Sequence, residues 1–123
     1  MKVYLCGAIN GCTDEQCKDW RESAKKRLPD TIDPLRRDYR GCEDQYSREI
    51  VSGDKEDIRK SDALLVNHPG PSSGTDMEMF FAFNLGLLVV TVVPEGTRIS
   101  PWVREHSSRI VHTFEEALSI LCV

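Results

Sequence analysis

Three things are scarce in this sequence of 123 residues, and each scarcity removes a class of function. Basic side chains do not outnumber acidic ones: 16 Lys and Arg stand against 20 Asp and Glu, a net charge of −4. Tracking a nucleic-acid backbone needs a basic surface, so a polymer substrate is excluded. A local cluster such as Arg36, Arg37 and Arg40 still suffices for one small anion. The cysteines, Cys6, Cys12, Cys17, Cys42 and Cys122, are odd in number and show no paired spacing. That is neither a disulfide framework nor, with no Cys/His cluster, a metal site. Free thiols in a reducing compartment are the expectation, and with them a cytoplasmic location. Long apolar runs are also missing. No stretch approaches the ~20 apolar residues of a membrane span, and the opening run at 1–9 is too short for a signal peptide.

What remains is ordinary globular composition, 40% hydrophobic and 29% charged, without repeats, low-complexity segments or a linker. One domain, 1–123, is the expected organisation, and a chain of this length buries roughly two-thirds of its unfolded surface.

The order of elements is legible from periodicity and punctuation. Val3-Tyr4-Leu5-Cys6 is a short apolar run closed by Gly7 and Gly11. Thr13 with Gln16 makes a capping box, and the helix it opens carries Cys17, Trp20, Ala24 and Leu28 on one stripe before Pro29-Asp30 ends it. A weak strand at 31–33 leads into a polar, arginine-rich loop at 34–44. A helix from about 44 to 60 carries Tyr46, Ile50 and Ile58 on one face. Ala63-Leu64-Leu65-Val66 reads as a buried parallel strand. A loop at 67–75 dense in Pro, Gly and Ser precedes a helix at about 76–86 that is apolar nearly all round. Leu88 to Val93 is the clearest strand. Ser100-Pro101 opens a short helix, 109–112 fits an edge strand, and Thr113-x-x-Glu116 caps a final helix. Strands alternating with helices predict an α/β fold, a doubly wound parallel sheet of about five strands. Ligands in that architecture bind at the carboxyl ends of the strands, which directs attention to the loops 7–13, 34–44 and 67–75.

The densest chemical signal is Pro71-Ser-Ser-Gly-Thr-Asp-Met-Glu78. A strand-to-helix loop exposes backbone N–H groups to an anionic or polar ligand. Glu78 has two readings. Thr75-x-x-Glu78 is itself a capping box. Equally, a carboxylate one turn into a helix is kept ionised by the macrodipole, by ~0.3–1 kcal/mol, as a glycosyl nucleophile must be. Asp54 falls on the Ile50–Ile58 stripe, where a carboxylate is costly unless it is bonded or used; a helix twisting away into solvent is the other reading. Gly53 beside it costs the helix ~1 kcal/mol relative to Ala, a hint of close approach. Asp57 lies off the stripe. Tyr4, in the first strand, is placed to pack or to reach the cleft, and packing is favoured. His68 reads as loop surface.

The ordered combination of Tyr4-Leu-Cys-Gly7, Gly53-Asp54 eight residues before Asp62-Ala-Leu-Leu-Val, and Ser72-Ser-Gly74-Thr-Asp-Met-Glu78 resembles the nucleoside 2-deoxyribosyltransferase superfamily. Within it the pattern is most similar to the 2′-deoxynucleoside 5′-phosphate N-hydrolase branch, over nearly the whole chain. The resemblance implies a flavodoxin-like sheet, double displacement, no cofactor or metal, and a homodimer with shared active sites. By position, Glu78 is the implied nucleophile, Tyr4 its hydrogen-bonding orienter, and Asp54 the carboxylate that handles the proton or a sugar hydroxyl. Ser72 stands where the transferases carry an aspartate for the 5′-hydroxyl and the hydrolases a serine. A serine can donate to phosphate, whereas an aspartate repels it. Ser100 matches a phosphate contact donated by the partner subunit, besides being a plain N-cap. Gly7 and Gly74 complete the matched substrate-binding motifs. Ala8 and Asn10 replace the hydrolases' Ser and Arg in the first loop, and Arg36 with its neighbours is placed to supply that charge or to read the base.

The expected activity is therefore cleavage of the N-glycosidic bond of a (deoxy)nucleoside 5′-monophosphate, releasing free base and sugar phosphate. A deoxyribosyltransferase moving the sugar between bases is the alternative. A lysine-decarboxylase-like phosphoribohydrolase shares a similar Gly-Thr-x-x-Glu motif but carries an arginine pattern not found here. A non-catalytic nucleotide-binding module is equally permitted by the fold.

Overall fold

Alternation of side chains along a short strand divides this molecule into two faces, and the division decides which residues reach the cleft. The computed structural model describes residues 1–122; of the expected 1–123 unit, only Val123 lies outside the described residues. Five strands, β1 (Val3–Gly7), β2 (Thr31–Ile32), β3 (Ala63–Asn67), β4 (Leu88–Val92) and β5 (Arg109–Val111), form one parallel sheet in the order β2-β1-β3-β4-β5. Its helices are α1 (Asp14–Arg27), α2 (Ser47–Arg59), α3 (Ser73–Asn84), α4 (Pro101–Glu105) and α5 (Phe114–Leu121). Val3 pairs with Ala63 and Ala63 with Leu88, so the central strands run in step and all end at one edge. This is the flavodoxin-like α/β arrangement expected from the alternating pattern.

Odd-numbered Val3 and Leu5 point with Ala63, Leu65, Val90 and Val92 toward α1 and α5, packing on Ala24, Leu28, Ala117, Leu118 and Leu121. Even-numbered Tyr4 and Cys6 point with Leu64, Val66 and Val89 to the other side, against Ile58, Met79, Ala82 and Val103 from α2, α3 and α4. Period-2 geometry thus places Tyr4 and Cys6 on one face, beneath α3.

The caps read from sequence hold for α1, where Thr13 and Gln16 bond reciprocally, and for α5, where Thr113 accepts from the Glu116 N–H. Ser100 Oγ accepts from the Val103 N–H at 3.2 Å and caps α4. Three expectations require correction. The stretch at 43–46 is a separate 3₁₀ turn, with α2 starting only at Ser47, and Tyr46 is exposed. The stripe of α2 is not a uniform core seam, because its N-terminal half overlooks open space and only Ile58 reaches the core. Finally, α3 begins at Ser73, three residues before the expected start.

The end of β1 is fixed from behind by a buried arginine. Arg21, fully enclosed in α1, donates to the carbonyls of Cys17 (2.7 Å), Leu5 (3.3 Å) and Gly7 (2.9 Å). Its Nε lies 3.5 Å from Asp33 Oδ1, and Lys25 also holds Asp33. Gly7 has no room for a side chain, since a Cβ there would lie 2.8 Å from the Trp20 ring. A buried cation is tolerated here because both terminal nitrogens donate to carbonyls and the Asp33 carboxylate lies beside Nε, which itself makes no hydrogen bond.

Candidate active site

Where the strands end, a cleft of about 820 Å³ opens between the β1 loop, the arginine-rich segment, α2 and the start of α3. Gly7 and Asn10 line it from the first loop, Arg37, Tyr39 and Arg40 from the second, Ile50 and Asp54 from α2, and Ser72, Gly74 and Glu78 from the third. The three loops singled out by topology do converge.

Glu78 hangs from α3 over the even-numbered face of β1. The Tyr4 hydroxyl donates to its Oε2 at 2.5 Å, and the Cys6 thiol faces Oε1 at 3.5 Å. Tyr4 is fully buried, so packing and bonding are both true of it. Asp54 is the neighbour on the α2 side, close enough for the two carboxyls to shift each other's proton affinity. Burial, and then the charge of Asp54, push the Glu78 carboxyl up to about 8; Tyr4, Cys6 and Arg21 oppose the rise without cancelling it. Asp54 is also raised, by burial, against the pull of Arg37 and of Glu78. Burial, followed by the charges of Glu78 and Asp54, holds the Tyr4 phenol well above its ordinary value.

This reverses the expectation that Glu78 is ionised at neutral pH. With α3 starting at Ser73, Glu78 is the sixth residue of the helix, beyond the first turn in which the macrodipole acts. Desolvation and a second carboxylate then decide its state. The same shift of the helix start removes the capping-box reading. The N-cap is Ser72, and the Thr75 hydroxyl accepts from Ser72 Oγ at 2.9 Å.

The arginines do not behave alike. Arg36 makes a two-pronged bond to Asp57 (2.9 Å and 2.9 Å), half exposed and away from the cleft lining. Arg37 is the cleft residue, bridging Asp57 at 2.6 Å and Asp54 at 3.4 Å. Asp57, set aside on periodicity, is thus the buried anchor of the cluster, its pKa lowered by Arg36 and Arg37 against the cost of burial. Gly53 admits this arrangement, because a Cβ there would sit 3.0 Å from the Arg37 guanidinium. The helix-weakening glycine was the available signal for Arg37.

One further placement differs from expectation. His68 is buried and bonds Asp76 Oδ1 through Nε2 at 2.6 Å, not loop surface. Ser100 lies outside the main cleft, in a neighbouring hollow of about 470 Å³ with Trp102, His106 and Asp76. Met77 and Phe80 border both spaces. Among the described residues no cluster of His, Cys, Asp or Glu has the makings of a metal site, and no helix is long and apolar enough to cross a membrane.

The raised Glu78 pKa makes a signed prediction about stability. A carboxyl near 8 when folded and near its ordinary 4.5 when unfolded favours the folded state only while protonated. That stabilisation is full below the unfolded value and is lost as pH rises toward and through 8. Thermal unfolding should therefore show the wild type losing stability from pH 5 to 9 relative to Glu78→Gln. Parallel stability curves for the two proteins would contradict a protonated Glu78.

Comparison with known proteins agrees with this geometry. Three solved structures share the fold. A 2-deoxyribosyltransferase from Bacillus psychrosaccharolyticus superposes with TM-score 0.78 at 17% identity, over 96% of this chain and 90% of that one. A conserved protein from Enterococcus faecalis V583 gives 0.74 at 17% identity, over 98% and 96%. The CMP N-glycosidase BcmB from Clostridium botulinum gives 0.67 at 18% identity, over the full length of both. No curated protein sequence matches. The family model for nucleoside 2-deoxyribosyltransferase matches residues 3–120, nearly the whole chain, and the protein belongs to that family.

Proposed function

We propose that the protein hydrolyses the N-glycosidic bond of a (deoxy)nucleoside 5′-monophosphate through a covalent intermediate on Glu78. The observation carrying this reading is the carboxyl pair. Tyr4 donates to Glu78 at the cleft floor, and Asp54 lies close enough for its charge to raise the Glu78 pKa. Two carboxyls that hold one proton between them can divide the roles of nucleophile and acid.

The chemistry follows from where that proton goes. Moving it from Glu78 to Asp54 leaves a carboxylate next to the anomeric carbon and an acid next to the leaving base. A Glu78 oxygen bonds C1′ as the C1′–N bond breaks, and the base departs with that electron pair and takes the Asp54 proton. Asp54, now anionic, removes a proton from water as its oxygen attacks C1′, which frees Glu78 and releases the sugar phosphate. Oxocarbenium character along the way is stabilised by the adjacent carboxylate. Glu78→Gln, which keeps shape and hydrogen-bonding capacity, is expected to fold and to lose nearly all turnover. A 2-fluoro sugar analogue, which slows breakdown of the intermediate, should leave an adduct on Glu78 in peptide mass spectra. Turnover by the Gln variant near the wild-type rate would exclude the nucleophile; an adduct on another carboxylate would move it there.

Phosphate preference is supported by Ser72 and the start of α3, which no side chain caps, and by Arg37 and Arg40 lining the same cleft. A 5′-phosphate requires a neutral or basic pocket, and an aspartate at 72 would repel it. The resemblance in fold to a CMP N-glycosidase points the same way, whereas the family description favours sugar transfer to a second base. Base release from matched nucleosides and 5′-monophosphates, with and without an acceptor base, separates the two. Monophosphates should react better, and Ser72→Asp should reverse the preference. Better turnover of free nucleosides, with exchange into the added base, would establish the transferase instead.

The assembly we propose is a homodimer that completes the cleft. Met77, Phe80, Leu85 and Trp102 are exposed on α3, its C-terminal end and α4. Trp102 stacks on His106 with centroids 5.7 Å apart, extending the patch. Exposed apolar surface of this kind marks an interaction site, and this patch runs into the cleft at Met77 and Phe80. Ser100 at its rim is then placed to approach the partner's cleft. Trp102→Asp should give monomers by light scattering and lower activity together. A wild-type protein that is monomeric and active at micromolar concentration would refute the shared site.

A further inference from the structure

We propose that Cys6 is a positioning residue, whose thiol holds the second oxygen of the Glu78 carboxyl and, with Tyr4, sets where the proton of the Glu78–Asp54 pair resides. Five cysteines without a pairing pattern suggest incidental thiols, yet Cys6 does not sit in an incidental place. It is two residues after Tyr4 on the same face of β1, so strand geometry aims both side chains at the same target. Tyr4 reaches Oε2 of Glu78 and Cys6 faces Oε1. The remaining acceptor near the sulfur, the Thr75 carbonyl, is farther away at 3.9 Å. Cys6 is wholly buried, and burial with the adjacent Glu78 charge keeps it a thiol, so its S–H is available to donate.

Its chemistry suits the position. A donor to the carboxylate favours the ionised form of Glu78 and drives the shared proton toward Asp54, the arrangement in which Glu78 is the nucleophile. A thiol is a weak donor and a small apolar filler. It biases the pair without locking Glu78 as a permanent anion, and it costs little to bury among Leu64, Val66 and Met79.

The catalytic part of this inference rests on the proposed function, so the test reads Glu78 both with and without turnover. In the ligand-free protein, infrared titration follows the protonated-carboxyl band of Glu78, identified by its absence in Glu78→Gln. Cys6→Ala should move that titration to higher pH, and Cys6→Ser should return it toward wild type. The Cys6 S–H band of the wild type should shift as Glu78 ionises and stay fixed in Glu78→Gln, a readout that needs no Cys6 variant to fold. In turnover, Cys6→Ala should lower kcat by roughly three- to tenfold, the scale of one net hydrogen bond, with KM little changed and the alkaline limb moved up. An unmoved Glu78 titration in folded Cys6→Ala, or an S–H band indifferent to Glu78, overturns the proposal. A shifted titration with unaltered kcat supports the bond from Cys6 and counts against Glu78 as nucleophile.

Discussion

Two carboxyls, Glu78 and Asp54, lie together at the half-buried floor of the cleft, where two negative charges are costly, and much of the surrounding structure answers that constraint. Burial raises the pKa of both, and the charge of Asp54 helps push that of Glu78 to about 8. The pair keeps one proton near neutral pH because the alternative is an anion pair in a partly desolvated site. Tyr4 and Cys6 approach from the sheet, Arg37 from the second loop, and Arg21 from behind β1. Each lowers the cost of a charge in the pair without removing it, leaving the proton movable.

Support for the pair is layered. Arg37 reaches Asp54 only because Asp57 fixes its other contact, and Asp57 is itself held by Arg36. Gly53 leaves the space through which the guanidinium passes. On the opposite side, Arg21 ties the β1 carbonyls to α1 and Asp33, which fixes the strand from which Tyr4 and Cys6 project. These groups are costly to bury singly. As a connected network each meets a partner, which is the condition under which buried polar groups are tolerated.

The aromatic face of α3 and α4 raises a different question of economy. A small domain has two faces of sheet to cover, and both are covered here by helices. The outward residues of α3 are left over, and they adjoin the cleft. The second subunit proposed above would cover this surface and narrow the cleft beside it.

The succession of elements, parallel pairing and the three converging loops were legible in the sequence, because hydrophobic runs and caps act over a few residues. Tyr4 and Cys6 share a face by strand period alone, and the Gly53-Asp54 oddity was visible as a helix paying for something. What Gly53 admits, that Arg37 and not Arg36 borders the cleft, and that Asp57 anchors both, depended on contacts across about twenty residues of chain. The state of Glu78 was likewise undecidable locally. A helix beginning at Ser73 in place of residue 76 took it out of the first turn, and its surroundings came from β1 and α2. Propensity and spacing set the local backbone; burial and the distance between charges are properties of the assembled fold, and they settled the protonation of the site.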